Sequence, residues 1–123
     1  MRELLPNEAI RRELRRAEEA HLHGEHAEAR EIYEGVFETL DRQDDAPPHL
    51  RARAHHGMGL TLAHEGSVED ALAHLEKAIH NDPQTYRYPL DLARTYFRLG
   101  MTDKARLWAQ RARVLGAVDK EEE

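Results

Sequence analysis

Gly66 and Gly100 stand 34 residues apart, and the residues around them repeat in phase: Gly59 with Ala93, Leu62 with Tyr96, Ala71 with Ala105, Ala78 with Ala112. Self-similarity at this period, with small residues at fixed places, marks stacked helix pairs rather than a single closed core, because each unit buries its apolar face only against its neighbours. Such an array is a surface for holding another protein. The repeat therefore points to a class of function without identifying the partner.

The charge pattern agrees. Charged residues make up 34% of the chain, against roughly 25% in an average domain, and they alternate with apolar residues as solvated helix faces do. Aromatic residues are only 6%, which favours helix over sheet. The formal net charge of −6 argues against generic binding to nucleic acid or to an anionic membrane, since both require a positive field. With no cysteine there is no disulfide framework and no thiolate metal site, and a cytoplasmic location is the simplest reading. The N-terminal stretch lacks the apolar run of a signal peptide, and no segment reaches the ~20 apolar residues of a membrane span.

Six helices are expected in one all-α domain over 1–123. Asn7 is placed to cap the first, which Gly24 ends; the second runs to about Leu40. An Asp-rich loop, 41–48, closes with two prolines and is expected to be exposed; Pro48 suits the first position of the third helix. Gly66 ends that helix, Ser67 caps the fourth with Asp70 three residues on, and the fourth stops near His80. The fifth starts close to Pro89 and stops at Gly100; Thr102 caps the sixth, which ends at Gly116 before a frayed tail, 117–123. The hairpins so defined are about 7–40, 49–80 and 84–116, an α-α superhelix.

The order Gly59, Leu62, Gly66, Ala71, Leu75, Ala78, Pro83, repeated as Ala93, Tyr96, Gly100, Ala105, Ala112 and more weakly as Ala17, Ala20, Gly24, Ala29, Tyr33, Val36, resembles the tetratricopeptide repeat (TPR) family over about residues 10–116. The small residues at Ala17, Gly59 and Ala93 would let paired helices approach closely, and Tyr33 and Tyr96 would fill the gap between neighbours. One departure is Ala109, where a large residue would usually fall, with Trp108 one place before it.

The resemblance implies that an extended peptide lies along a concave face lined by the first helix of each pair. The positions facing that way would be Arg11, Leu14, Glu18, His21 and Leu22; then Arg53, His56, Leu60, Ala63 and His64; then Arg87, Leu90, Arg94, Phe97 and Arg98. Five arginines and three histidines against one glutamate make a basic groove in an acidic body. Arginine's planar fork holds a carboxylate by two parallel bonds, so an acidic, partly apolar segment is the expected ligand, with Arg53, His56, Leu60, Arg87, Leu90, Arg94, Phe97 and Arg98 as its contacts. The competing expectation is that these arginines are solvated or paired within the stack.

The alternative function is structural. Leu107, Trp108, Val114 and Leu115 could leave an apolar strip at the end of the array, through which the chain assembles with itself. Nine histidines raise a metal question, above all His21, His23 and His26. Zinc needs three or four converging ligands; His21 and His23 point apart on a helix and His26 lies across the turn, so surface histidines and no metal are expected. Nor is there a glycine-rich phosphate loop after a strand or an apolar pocket around a carboxylate pair. The expectation is a non-catalytic interaction scaffold without cofactor, with a protein or peptide partner and neither nucleic acid nor membrane.

Overall fold

The computed structural model describes the backbone of residues 5–122 and the side chains of residues 5–116. Among the described residues there are six helices and no strand: α1 (Pro6–Leu22), α2 (His26–Asp41), α3 (Pro48–Glu65), α4 (Val68–Asn81), α5 (Arg87–Arg98) and α6 (Thr102–Glu122). Neighbours in sequence pack as hairpins, α1 with α2, α3 with α4 and α5 with α6. The hairpins then join through α2 and α1 against α3, and through α4 against α5. This is the expected all-α stack of helical hairpins.

The turns within the hairpins share one geometry. Gly24, Gly66 and Gly100 have φ of 80°, 88° and 77°, the left-handed conformation that costs glycine nothing. In each, the glycine N–H and the next N–H reach back to close the helix: Glu25 to Ala20 at 2.8 Å, Ser67 to Leu62 at 2.9 Å, Met101 to Tyr96 at 3.0 Å. These are Schellman closures, which satisfy the last free carbonyls of the helix.

The starts of the helices differ from expectation. α1 begins at Pro6 after Leu5, and no side chain caps it; a proline whose φ is already helical suits the first position, so Asn7 falls inside the helix. Ser67 precedes α4 without a capping hydrogen bond. Thr102 is itself helical, and its hydroxyl donates to the Gly100 carbonyl at 3.5 Å. At all three starts, packing of the apolar stripe rather than a cap sets the boundary. α6 passes through Gly116 to Glu122; of the expected tail, Glu123 and the side chains from 117 onward lie outside the described residues. The connection before α3 is only partly exposed. Gln43, Ala46 and Pro47 are half-buried, and Arg51 clasps the end of α2 through the Asp41 carboxylate at 2.8 Å and the Leu40 carbonyl at 3.2 Å.

Small residues set the helix spacing as expected. A Cβ on Gly59 would lie 2.8 Å from Leu75 Cγ and 3.1 Å from the Ala71 carbonyl, so its absence lets α3 and α4 close together. A Cβ on Gly57 would overlap the phenol of Tyr33. Tyr33, 1% exposed, therefore reaches from α2 into the face of α3. Tyr96 is buried at the next junction, and its hydroxyl donates to Glu76 Oε1 on α4 at 3.1 Å. The buried apolar residues fall into three clusters: one runs from Ile10, Leu14 and Tyr33 through Leu50 and Met58, a second joins Leu75, Leu92, Tyr96 and Ala105 where the second and third hairpins meet, and a third holds Ala52, Ala78 and Tyr88.

Candidate functional site

Residues ten, six and three places before each turn glycine lie on one helix face. In α1 they are Leu14, Glu18 and His21; in α3, His56, Leu60 and Ala63; in α5, Leu90, Arg94 and Phe97. Most positions expected to line a groove fall on this face. In the first two hairpins it is largely the seam to the next hairpin. Leu14 is fully buried in the core that includes Leu50 and Ala54 of α3. Glu18 accepts two hydrogen bonds from Arg53, at 2.7 and 2.6 Å, and His21 Nδ1 lies 3.4 Å from the Thr61 hydroxyl.

At the second seam, His56 Nε2 is 2.6 Å from Asp91 Oδ2 on α5, and the imidazole packs on Tyr88. Burial pushes the Asp91 carboxyl up, but the His56 contact and the nearby Arg94 outweigh it and hold the group below its ordinary value. Leu60 packs beside Leu92 and Tyr96. Arg53 and His56 thus meet partners inside the chain, as the competing expectation for the arginines had it.

The third hairpin differs. Leu90, Ala93, Arg94, Phe97 and Arg98 of α5, with Ala109 of α6, line an open depression of about 430 Å³. Phe97 is 60% exposed. Arg94 leans on Asp91 at 3.2 Å but its side chain remains 67% exposed, and Arg87 and Arg98 are exposed as well. The structure therefore brings Leu90, Arg94, Phe97 and Arg98 together on one open face. It separates them from Arg53, His56 and Leu60, which are half-buried in or beside the seams.

Ala109 explains the hollow. The ninth residue after the turn glycine is Tyr33 in the first hairpin, set against Gly57, and Leu75 in the second, packed with Leu92. Alanine at the third leaves that volume empty.

Along α6, Leu107 and Val114 are 50% and 58% exposed and Leu115 is half-buried. Trp108 packs onto the cluster of Leu75, Leu92, Tyr96 and Ala105, with the Arg111 guanidinium 4.4 Å from its ring centre. The indole is thus packed against a cluster drawn from both the second and the third hairpins of its own chain.

The histidines converge in a set that their spacing did not reveal. His21, His26 and His64 come together with ring centres 4.9 to 5.1 Å apart. The α1–α2 turn curls His26 back onto His21, while α3 supplies His64 from 43 residues away. Burial lowers the His21 imidazole, and His64, His26 and His56 lower it further. Among the described residues no group of three such side chains is arranged to hold a metal ion.

A stack of helical hairpins with an open, arginine-flanked apolar face defines a helical-repeat protein. The family model that matches this chain is RMD1-3, regulator of microtubule dynamics protein 1-3, over residues 52–123. That is more than half of the chain, and the protein belongs to this family. The TPR assignment is thereby corrected: the alternation of small and large residues reports how closely two helices pack, and that requirement is common to helical hairpins of any ancestry. No curated protein matches the chain. Among the described residues, no helix is long and apolar enough to cross a membrane.

Proposed function

We propose that this chain is a non-catalytic protein-binding module that engages an acidic, partly apolar segment of its partner on the face formed by Leu90, Arg94, Phe97 and Arg98. The observation that carries this reading is the exposure of an aromatic ring between two arginines beside an open depression. Aromatic and arginine side chains dominate the energetics of protein interfaces. The guanidiniums of Arg94 and Arg98 on this face bind carboxylates and stay protonated at neutral pH; that favours binding over catalysis. The family's description concerns regulators of microtubule dynamics, and we extend it to this chain as a role in the cytoplasm or at the cytoskeleton, exercised through protein contact.

Co-sedimentation with polymerised tubulin, together with polymerisation followed by turbidity, tests the reading. The wild-type chain is expected to pellet with microtubules or to alter their assembly, and Arg94→Glu with Arg98→Glu should lose the effect while keeping the helical melt. No effect of the wild-type chain would remove the microtubule role, and equal behaviour of the double variant would remove this face as the binding site. A second reading, self-assembly through α6, is favoured by the exposure of Leu107 and Val114; a mass measurement in solution separates the two.

A further inference from the structure

The seams inside the molecule show what this face is built to receive. At the first seam the incoming helix is α3. It sets Arg53 against Glu18 and, four residues later, Gly57 against Tyr33. At the second seam the incoming helix is α5. It sets Asp91 against His56 and Leu92 against Leu75. Each seam pairs one ionic contact with one filled volume. In both cases the large side chain comes from the second helix of the earlier hairpin.

At the open face of α5 the places that hold Glu18 and Tyr33 at the first seam hold Arg94 and the Ala109 hollow; at the second seam the same places hold Leu60 and Leu75, and its ionic residue His56 stands at the place of Leu90. The ionic position carries a cation where the first seam carries Glu18. The volume filled by Tyr33 or Leu75 elsewhere is empty, so the incoming helix must supply the large side chain. In α3 the residues meeting those two places, Arg53 and Gly57, are four apart, and residues i and i+4 share one helix face.

Building on the protein-binding reading above, we propose that the open face of α5 receives an amphipathic α-helix of a partner protein. That helix carries a carboxylate and, four residues further on, a large apolar side chain. The carboxylate pairs with Arg94, with Arg98 beside it, and the apolar side chain enters the hollow between Leu90, Phe97 and Ala109.

A second copy of this chain does not meet the requirement. The residues of α1 at the same distances from its turn glycine as Arg53 and Gly57 are Arg11 and Arg15. Head-to-tail docking would place Arg11 against Arg94 and a guanidinium in the apolar hollow, a repulsive and desolvated arrangement.

The probe is a fluorescein-labelled, stapled helix of about 16 alanine- and glutamine-based residues, stapled because free helices of that length are marginal in water. It bears Glu at one position and Phe four residues on, and binding is followed by anisotropy. Saturable binding is expected, weakened about tenfold or more by Lys in place of Glu or by Ala in place of Phe, since each removes one of the two anchors. Ala109→Leu, which copies the residue at the matching place in the second hairpin, should fill the hollow and weaken binding to a similar degree. Arg94→Glu should move the preference from the Glu helix to the Lys helix, and that swap is a gain of binding which loss of folding cannot mimic.

No saturable binding to wild type, equal binding of the Glu and Lys helices, or indifference to both protein variants would overturn the proposal. So would a wild-type dimer that Ala109→Leu dissociates, because a second copy would then be the occupant. If the Glu helix fails to bind while wild-type protein still co-sediments with microtubules, helix docking falls and the protein-binding reading stands. If the helix binds with the stated preferences but no co-sedimentation is seen, the docking site stands and the microtubule reading falls.

Discussion

Arg53 on α3 holds Glu18 on α1 by two parallel hydrogen bonds, Nε to Oε2 at 2.7 Å and Nη2 to Oε1 at 2.6 Å, across 35 residues of chain. Two other cross-hairpin contacts span the same interval, Arg30 with Glu65 at 2.7 Å and His56 with Asp91 at 2.6 Å. Glu18→Ala leaves Arg53 half-buried without its carboxylate. Because both side chains keep part of their hydration, the expected loss is modest, about 1 kcal/mol. Chemical denaturation of both single variants and the double Glu18→Ala/Arg53→Ala should give a favourable coupling of that order. Strict additivity would show the pair to be energetically silent.

Two glycines in helices predict opposite outcomes for the same substitution. Gly35 has nothing within 4 Å of a Cβ position, so Gly35→Ala should stabilise by up to about 1 kcal/mol through helix propensity. Gly57→Ala gains the same propensity but drives a methyl into the Tyr33 ring, and overpacking costs roughly 1–3 kcal/mol. Gly57→Ala should therefore melt below wild type and Gly35→Ala above it, with thermal midpoints as the readout.

His55 and His74 share a 2.9 Å Nδ1–Nδ1 contact, in which one nitrogen carries the proton and the other accepts it. Burial lowers the His55 imidazole from 6.5 to about 4, with His74 and Lys77 adding to it; burial and then Lys77 lower His74. Between 6.5 and 4 the unfolded chain therefore binds more protons than the folded one, so stability falls as pH drops through this window. The denaturant midpoint should be lower at about pH 4.5 than at neutrality. His55→Leu should flatten the dependence, and an unchanged slope would exclude this pair as its source.

Trp108→Ala removes an indole that packs on Leu75, Leu92 and Tyr96 and takes away the ring beneath Arg111. A loss of about 2 kcal/mol is expected for a half-buried side chain of this size. Light scattering should report a monomer before and after the change. A wild-type oligomer that this substitution dissociates would instead put self-assembly through α6 first.

Legibility followed distance along the chain. Gly24, Gly66 and Gly100 were readable as turns because a left-handed residue at a helix end is a local requirement. Gly59 was readable as a close approach because its place recurs in phase. Ser67 and Thr102 carried a helix-start signal that was not used as a cap, since packing overrode local preference. The face containing Arg94 and Phe97 was legible as a set. That Arg53, on the matching face of α3, would pair within the stack stood only as the competing expectation, and the partners of Arg53 and His56 were not legible, because Glu18 and Asp91 each lie 35 residues away.

By itself the sequence determined six helices, their turns and their pairing into hairpins, because backbone conformation and the burial of one apolar stripe are settled within about a turn or two of helix. Only the tertiary structure decided which charges are paired, which histidines meet and which face stays open. Those outcomes depend on how one hairpin leans on the next, and that lean is set by side chains such as Tyr33 entering the space Gly57 leaves. The same packing that closes the first two seams leaves the third open, because Ala109 is too small to fill it.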